Sequence, residues 1–234
     1  MTNYDLGIDE AGRGPVIGPL VMAGCLTTPE IDKKLKEIGV KDSKLILPSK
    51  RNFLFEEVKK LVLDFEIIVV SPEEIDVALK NPDLNLNKLE ALTSVKIMAA
   101  IYGRQKSGDK GFEVMLDSPT NTPAPYIAYV NSMLANDDVI VRAETKADMN
   151  YLNVGASSIL AKVTRDRLIE DMKKTALSIV GDGEMGSGYP SDPKTKEFLK
   201  KYWNRFDDVK GGFFRKTWKT WLNVANGKSQ KKLF

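Results

Sequence analysis

Apolar positions recur along this chain in two rhythms, and the changes of rhythm divide it into elements. Residues 5–9 and 17–26 read as strands separated by the Gly-rich turn Gly12-Arg13-Gly14-Pro15, two strands close together in sequence. Pro29 opens a predicted helix to Ile38, and Pro48 opens another to Leu63, with the polar turn Asp42-Ser43-Lys44 between them. Glu66–Val70 is a β-branched strand. Ser71, Pro72 and Glu74 carry a helix start: an N-cap, a proline at the first helical position and the acid of a capping box. A long helix follows over Leu86–Gln105, then a strand over Phe112–Leu116 that ends on Asp117, a helix from Pro123 to Leu134 and a strand over Val139–Val141. In the predicted helix Leu152–Ala176, the residues Ala156, Ile159, Leu160 and Val163 repeat at helical spacing as one core-facing stripe. Gly181–Ser191 reads as a mobile glycine-rich segment, and two helices close the chain, one from Pro193 and one around Trp218.

Strands alternating with helices, the first two strands adjacent, predict an α/β fold. Its sheet is mixed and five-stranded, with an antiparallel start, flanking helices and a C-terminal helical appendage. The expected division is a catalytic domain over 1–192, a basic and aromatic helical segment over 193–225 and a flexible polar tail over 226–234.

Composition narrows the chemistry. The chain has 234 residues, 42% of them hydrophobic and 29% charged, with no apolar run of membrane-spanning length. The N-terminus lacks the basic and apolar regions of a signal peptide, and the single cysteine, Cys25, sits in an apolar stretch as a buried small hydrophobe. A cytoplasmic monomer without membrane contact is expected. There is no histidine, which excludes imidazole acid–base catalysis, Ser-His triads and His-ligated zinc. Chemistry therefore falls to carboxylates, which suit hard divalent ions such as Mg²⁺ or Mn²⁺.

The net charge of +3 hides an asymmetry. From Lys194 onward basic residues dominate, among them Lys200, Lys201, Arg205, Arg215, Lys216 and Lys219, interleaved with Phe206, Phe213, Phe214 and all three tryptophans. Such a segment suits a phosphate-backbone binder. It equally suits an amphipathic appendage with aromatics packed inward and lysines solvated, and the two readings are compatible.

The carboxylates stand at strand ends, where α/β sheets build their sites. Asp9 ends the first strand and Glu10 follows it, Asp117 ends a later one, and Asp148 follows the last in Lys146-Ala147-Asp148. Adjacent residues on a regular strand face opposite ways, so Asp9 and Glu10 share one cluster only if the strand ends or bulges there. Taken alone, an acidic pair in a turn is more often simply solvated.

The wider pattern changes that reading. Gly7-Ile8-Asp9-Glu10-Ala11-Gly12-Arg13-Gly14-Pro15-Val16-Ile17-Gly18-Pro19-Leu20-Val21 resembles the opening signature of type 2 ribonuclease H, ribonuclease HII. Further segments resemble that family in the same order: Lys41-Asp42-Ser43-Lys44, Leu116-Asp117-Ser118-Pro119, Lys146-Ala147-Asp148, Ala156–Asp166 and Gly186–Asp192. The contexts of Asp117 and Asp148 look most like the archaeal form.

The resemblance implies a ribonuclease H-like fold. It also implies a site of two Mg²⁺ or Mn²⁺ ions held by Asp9, Glu10, Asp117 and Asp148, which would be both the catalytic and the metal-binding set. The implied reaction is hydrolysis on the 5′ side of ribonucleotides in RNA–DNA hybrids and in duplex DNA with embedded ribonucleotides, leaving 3′-hydroxyl and 5′-phosphate. Gly12, Arg13 and Gly14 match the family's ribonucleotide-sensing turn, Tyr189 matches its sugar-packing tyrosine, and Lys44 and Lys162 are candidate phosphate contacts. Arg165 and Asp166 read instead as a structural pair.

Other readings are a two-metal nuclease of different specificity and a non-catalytic nucleic-acid-binding protein, although all four acidic positions are intact. The terminus Gln230-Lys231-Lys232-Leu233-Phe234 resembles a shortened sliding-clamp-binding peptide, with Gln230, Leu233 and Phe234 as its contacts, and reads otherwise as a frayed tail.

Overall fold

The computed structural model describes residues 4–40, 47–105, 113–134 and 139–230. Lys44, Leu233 and Phe234 lie outside the described residues, as does the side chain of Gln230. In chain order the elements are β1 (Asp5–Ala11), β2 (Leu20–Thr27), α1 (Pro29–Glu37), α2 (Pro48–Leu61), β3 (Asp64–Val70), α3 (Pro72–Lys80) and α4 (Leu86–Arg104). There follow β4 (Glu113–Asp117), α5 (Pro123–Asn131), β5 (Ile140–Glu144), α6 (Ala147–Asn150), α7 (Leu152–Val180), α8 (Pro193–Tyr202) and α9 (Lys219–Gln230). Among the described residues no helix is long and apolar enough to cross a membrane.

The sheet is mixed and five-stranded, in the order β3-β2-β1-β4-β5. β1 runs antiparallel to β2, while β1–β4 and β4–β5 are parallel. β2 is buried along its whole length, as its unbroken apolar run requires of an inner strand covered on both faces, whereas β5 alternates exposed and buried residues. α7 lies directly on the middle of β1, because Gly7 leaves room for it: a Cβ there would fall 2.3 Å from the Val154 nitrogen. The Ser157 hydroxyl seals this contact with Oγ 2.8 Å from the Gly7 carbonyl oxygen. Opposite Gly7 on β2 sits Cys25, fully buried, its thiol pushed up to about 12 by burial.

The chain forms two compact units. The first comprises Met1–Ala11, Val21–Ile68 and Asn87–Thr164, the second Gly12–Leu20, Val69–Leu86 and Arg165–Phe234. This division differs from one at residue 192, and packing explains why. Phe198, Phe206, Phe213 and Phe214 share one core with Val16, Ile17, Ile169 and Met185. The aromatics of the C-terminal segment therefore face inward.

Several boundaries differ from expectation for local reasons. β2 starts at Leu20 rather than at 17, since Gly18 takes a φ of +87° and Pro19 has no N–H to give a ladder. Ile17 instead bridges to Phe214. β5 continues to Glu144 and α7 to Val180, and α6 is an additional turn of helix. α9 runs to Gln230, so the span expected to be a flexible tail from 226 begins as helix. The glycine-rich segment expected to be mobile is fastened: the Ser187 N–H donates to Asp192 Oδ2 (2.7 Å), and the Gly188 N–H to Thr195 Oγ1 (2.9 Å). The Thr195 hydroxyl in turn donates to the Met185 carbonyl (3.0 Å). Elsewhere the elements follow the sequence signals, including the reciprocal Ser71–Glu74 capping box and the buried stripe Ala156, Ile159, Leu160 and Val163.

Candidate active site

Parallel pairing sets the first group of residues side by side. Ile8 of β1 pairs with Leu116 of β4, so Asp9 and Asp117 are the next residues on neighbouring strands. Asp9, Glu10 and Asp117 each offer a carboxylate oxygen, and these oxygens lie within 4.8 Å of one another. Adjacent strand residues thus do reach one cluster. Asp9 is turned back on its own backbone, with Oδ1 accepting from the Glu10 N–H at 2.7 Å.

Asp148 arrives differently. After β5 the chain turns at Lys146, whose φ of 60° is the left-handed conformation, and enters α6. The Ala147 N–H donates to Asp117 Oδ1 at 2.7 Å, tying the start of that helix to β4. Asp148 is the next residue and is buried, 5% exposed. It stands outside the set of three whose oxygens converge within 4.8 Å.

This cluster is electrostatically costly. Burial, then the neighbouring charges of Glu10 and Asp117, hold the Asp9 carboxyl well above the usual carboxylate range. A hydrogen bond from Ser158 and the Glu10 N–H offset this only in part. A donor set made of carboxylate oxygens, with one member destabilised as an anion by the others, fits a hard divalent cation, which would remove the repulsion. Ser158 was not singled out by sequence reasoning. Its signals were its place in the family-like segment Ala156–Asp166 and beside the apolar stripe of α7.

The second group belongs to the other unit. Gly12 has a φ of +87°, and a Cβ there would fall 2.1 Å from Arg165 Nε. Only glycine fits at that position. A Cβ at Gly14 would lie 3.5 Å from the Tyr189 ring, so Tyr189 flanks the turn, and the Arg165 guanidinium stands 5.9 Å from the centre of that ring. Arg165 is buried rather than solvated, donating to the Pro19 carbonyl at 3.3 Å, and burial lowers its pKa. Tyr189 remains 41% exposed, available to a ligand. Lys162, which belongs to the first unit, is half-buried on α7.

The residue whose role sequence reasoning missed is Arg215. It belongs to the basic run that suggested phosphate contacts, yet it is completely buried. Its guanidinium donates to the carbonyls of Gly12, of Arg13 (2.9 Å) and of Gly18 (2.9 Å). Trp218 Nε1 donates to the carbonyl of Gly14 at 3.1 Å.

With this geometry in hand, comparison with known proteins gives a consistent result. A family model described as Ribonuclease HII matches residues 6–221. A ribonuclease HII of Methanococcus maripaludis (strain C6) is 39% identical over 98% of this chain and 90% of its own length. The crystal structure of ribonuclease H2 from Pyrococcus horikoshii OT3 superposes with a TM-score of 0.80 at 37% identity, covering 96% of this chain and 98% of that one. A structure of the PCNA:RNase HII complex from Archaeoglobus fulgidus matches with a TM-score of 0.72 at 35% identity, covering 85% and 88% of the two chains.

Proposed function

The chain belongs to the ribonuclease HII family, endoribonucleases acting on RNA–DNA, and on that premise we propose which bond it cuts and how. The substrate is RNA in a hybrid or a ribonucleotide embedded in duplex DNA. The phosphodiester on its 5′ side is hydrolysed to leave 3′-hydroxyl and 5′-phosphate, a reaction that serves ribonucleotide removal from DNA. The observation that carries this is the convergence of the Asp9, Glu10 and Asp117 carboxylates beside the buried Asp148.

Each residue has a definable task. Asp9, Glu10, Asp117 and Asp148 would hold two divalent ions, Mg²⁺ or Mn²⁺. Such ions supply Lewis-acid activation of water and charge neutralisation at the departing 3′ oxygen. Ser158 and the Glu10 N–H hold Asp9 in orientation through hydrogen bonds. Gly12, Arg13 and Gly14 bring backbone close to the 2′-hydroxyl, the group that separates RNA from DNA. Tyr189 offers its exposed ring to the adjacent sugar, and Lys44 and Lys162 neutralise phosphates. The protein acts as a cytoplasmic monomer and docks on a DNA sliding clamp through Gln230, Leu233 and Phe234. The relative in complex with PCNA supports that partner class. Saturable binding of a Lys228–Phe234 peptide to the cognate clamp, lost on Phe234→Ala, is the expected result.

The deciding experiment uses a labelled DNA duplex with a single ribonucleotide. Metal-dependent cleavage on the 5′ side of that residue, absent from an all-DNA duplex, is expected. Cleavage of the all-DNA duplex at a similar rate would overturn the assignment.

A further inference from the structure

We infer that Arg215 and Trp218, which need touch no nucleic acid, are the positioning residues that set ribonucleotide discrimination, by fixing the carbonyl side of the Gly12–Gly14 turn. The inference rests on the proposed role of that turn. All residues involved lie in the second unit.

The turn is glycine at both ends, so its own sequence fixes little of its shape. Yet each of its carbonyls is held from outside: those of Gly12 and Arg13 by the Arg215 guanidinium, that of Gly14 by Trp218 Nε1. The same guanidinium reaches the Gly18 carbonyl at 2.9 Å, so one rigid planar group spans both ends of the Gly12–Gly18 loop. The two side chains also hold each other, with the Arg215 guanidinium 4.8 Å from the centre of the Trp218 ring.

The brace is itself anchored. Asp76 of α3 is buried and accepts from the Lys216 N–H (2.7 Å), the Thr217 N–H (2.9 Å) and the Thr217 hydroxyl (2.6 Å). The Arg215 N–H donates to the Val16 carbonyl at 2.8 Å, and the Gly18 N–H to the Phe213 carbonyl at 3.1 Å. The segment from 213 to 218 is thus stitched to the loop on one side and to α3 on the other.

The consequence is directional. In a trans peptide the N–H points away from the preceding carbonyl, so with the Gly12 and Arg13 carbonyls on Arg215 the Arg13 and Gly14 N–H groups face the other way. Discrimination by one hydroxyl needs positional precision of about half an ångström. A bare Gly-Arg-Gly turn lacks that precision, and the brace supplies it.

The test compares kcat/KM on a duplex carrying one ribonucleotide with the same duplex carrying its 2′-fluoro analogue. The proteins are wild type, Trp218→Phe and Arg215→Lys. Trp218→Phe keeps the ring and removes only the N–H; Arg215→Lys keeps the charge and removes the fork. Both should lower the ribo-to-fluoro ratio by roughly five- to tenfold, the loss of about one hydrogen bond. Mn²⁺ affinity by calorimetry should stay at the wild-type value, which a general loosening of the fold would not leave in place. An unchanged ratio in folded Trp218→Phe overturns the inference, and this variant decides the matter should Arg215→Lys not fold. A wild-type enzyme with no ribo-to-fluoro preference would instead overturn the reading of the turn itself, and this inference with it.

Discussion

Asp9 and Arg215 are both charged side chains withdrawn from water, 5% and 0% exposed, yet they meet opposite surroundings. Asp9 is placed among like charges, and its anion is disfavoured by burial and by Glu10 and Asp117. Arg215 finds backbone carbonyls at Gly12, Arg13 and Gly18. The charge of the first region is opposed by its surroundings, and that of the second is met by hydrogen bonds. Carboxylates held against mutual repulsion suit a divalent cation, which would relieve it. On the proposed reading, recognition needs the second arrangement, because a turn that reads one hydroxyl must keep its shape on binding.

The sharpest way to break this contrast is Asp9→Asn. Cleavage should fall by far more than the roughly 10–100-fold typical of removing an outer partner of a metal ligand. The metal-free protein should nonetheless become more stable, by roughly 1 kcal/mol, as expected where function holds a site in a costly state. Denaturant unfolding in EDTA measures this. An Asn variant less stable than wild type would mean that the cluster is not strained at all.

A smaller effect is expected for Ser158→Ala, within that 10–100-fold range in kcat/KM at limiting metal and shrinking as metal is raised. A loss independent of metal concentration would place Ser158 in packing rather than in orienting Asp9.

The smallest effect is on stability against pH. Asp9, Asp5 and Asp32 all have folded-state carboxyls raised above their ordinary 3.8, in each case mainly by burial. A raised carboxyl favours the folded state fully only below the unfolded value, and that contribution is lost as pH rises through the folded value. Metal-free protein should therefore gain stability from these groups as pH falls from neutral toward about 4. Divalent metal should reverse the trend at Asp9. Tm measured against pH, with EDTA and with Mn²⁺, checks both directions. Asp9→Asn should flatten the EDTA profile, and an identical profile would remove Asp9 as its source.

The same contrast marks what could be read from the chain alone. The carboxylate cluster was legible through the ordered family-like segments from Gly7 to Asp192, since the acidic pair taken alone read as solvated, and parallel pairing supplies the rest. The capping box at Ser71 and the stripe on α7 were legible because their signals are local. The brace was not. Arg215 lies 203 residues from Gly12, and nothing in a run of lysines, arginines and aromatics says which cation turns inward. Composition gives a buried and a solvated arginine the same weight, and only the packing of Phe213 and Phe214 against Val16 and Ile17 separates them. Ser158 is an intermediate case, since its helix was foreseen and its partner was not.

Cys25 offers one further use of the design. It is paired with Gly7 across β1 and β2, and burial pushes its thiol up to about 12, so at neutral pH the reactive thiolate is strongly disfavoured. An alkylating reagent therefore finds nothing to attack until β1, β2 and the start of α7 part. The rate at which Cys25 is labelled becomes a clock for the opening of the strand that carries Asp9 and Glu10. A bound cation would slow that clock without any change in the thiol itself.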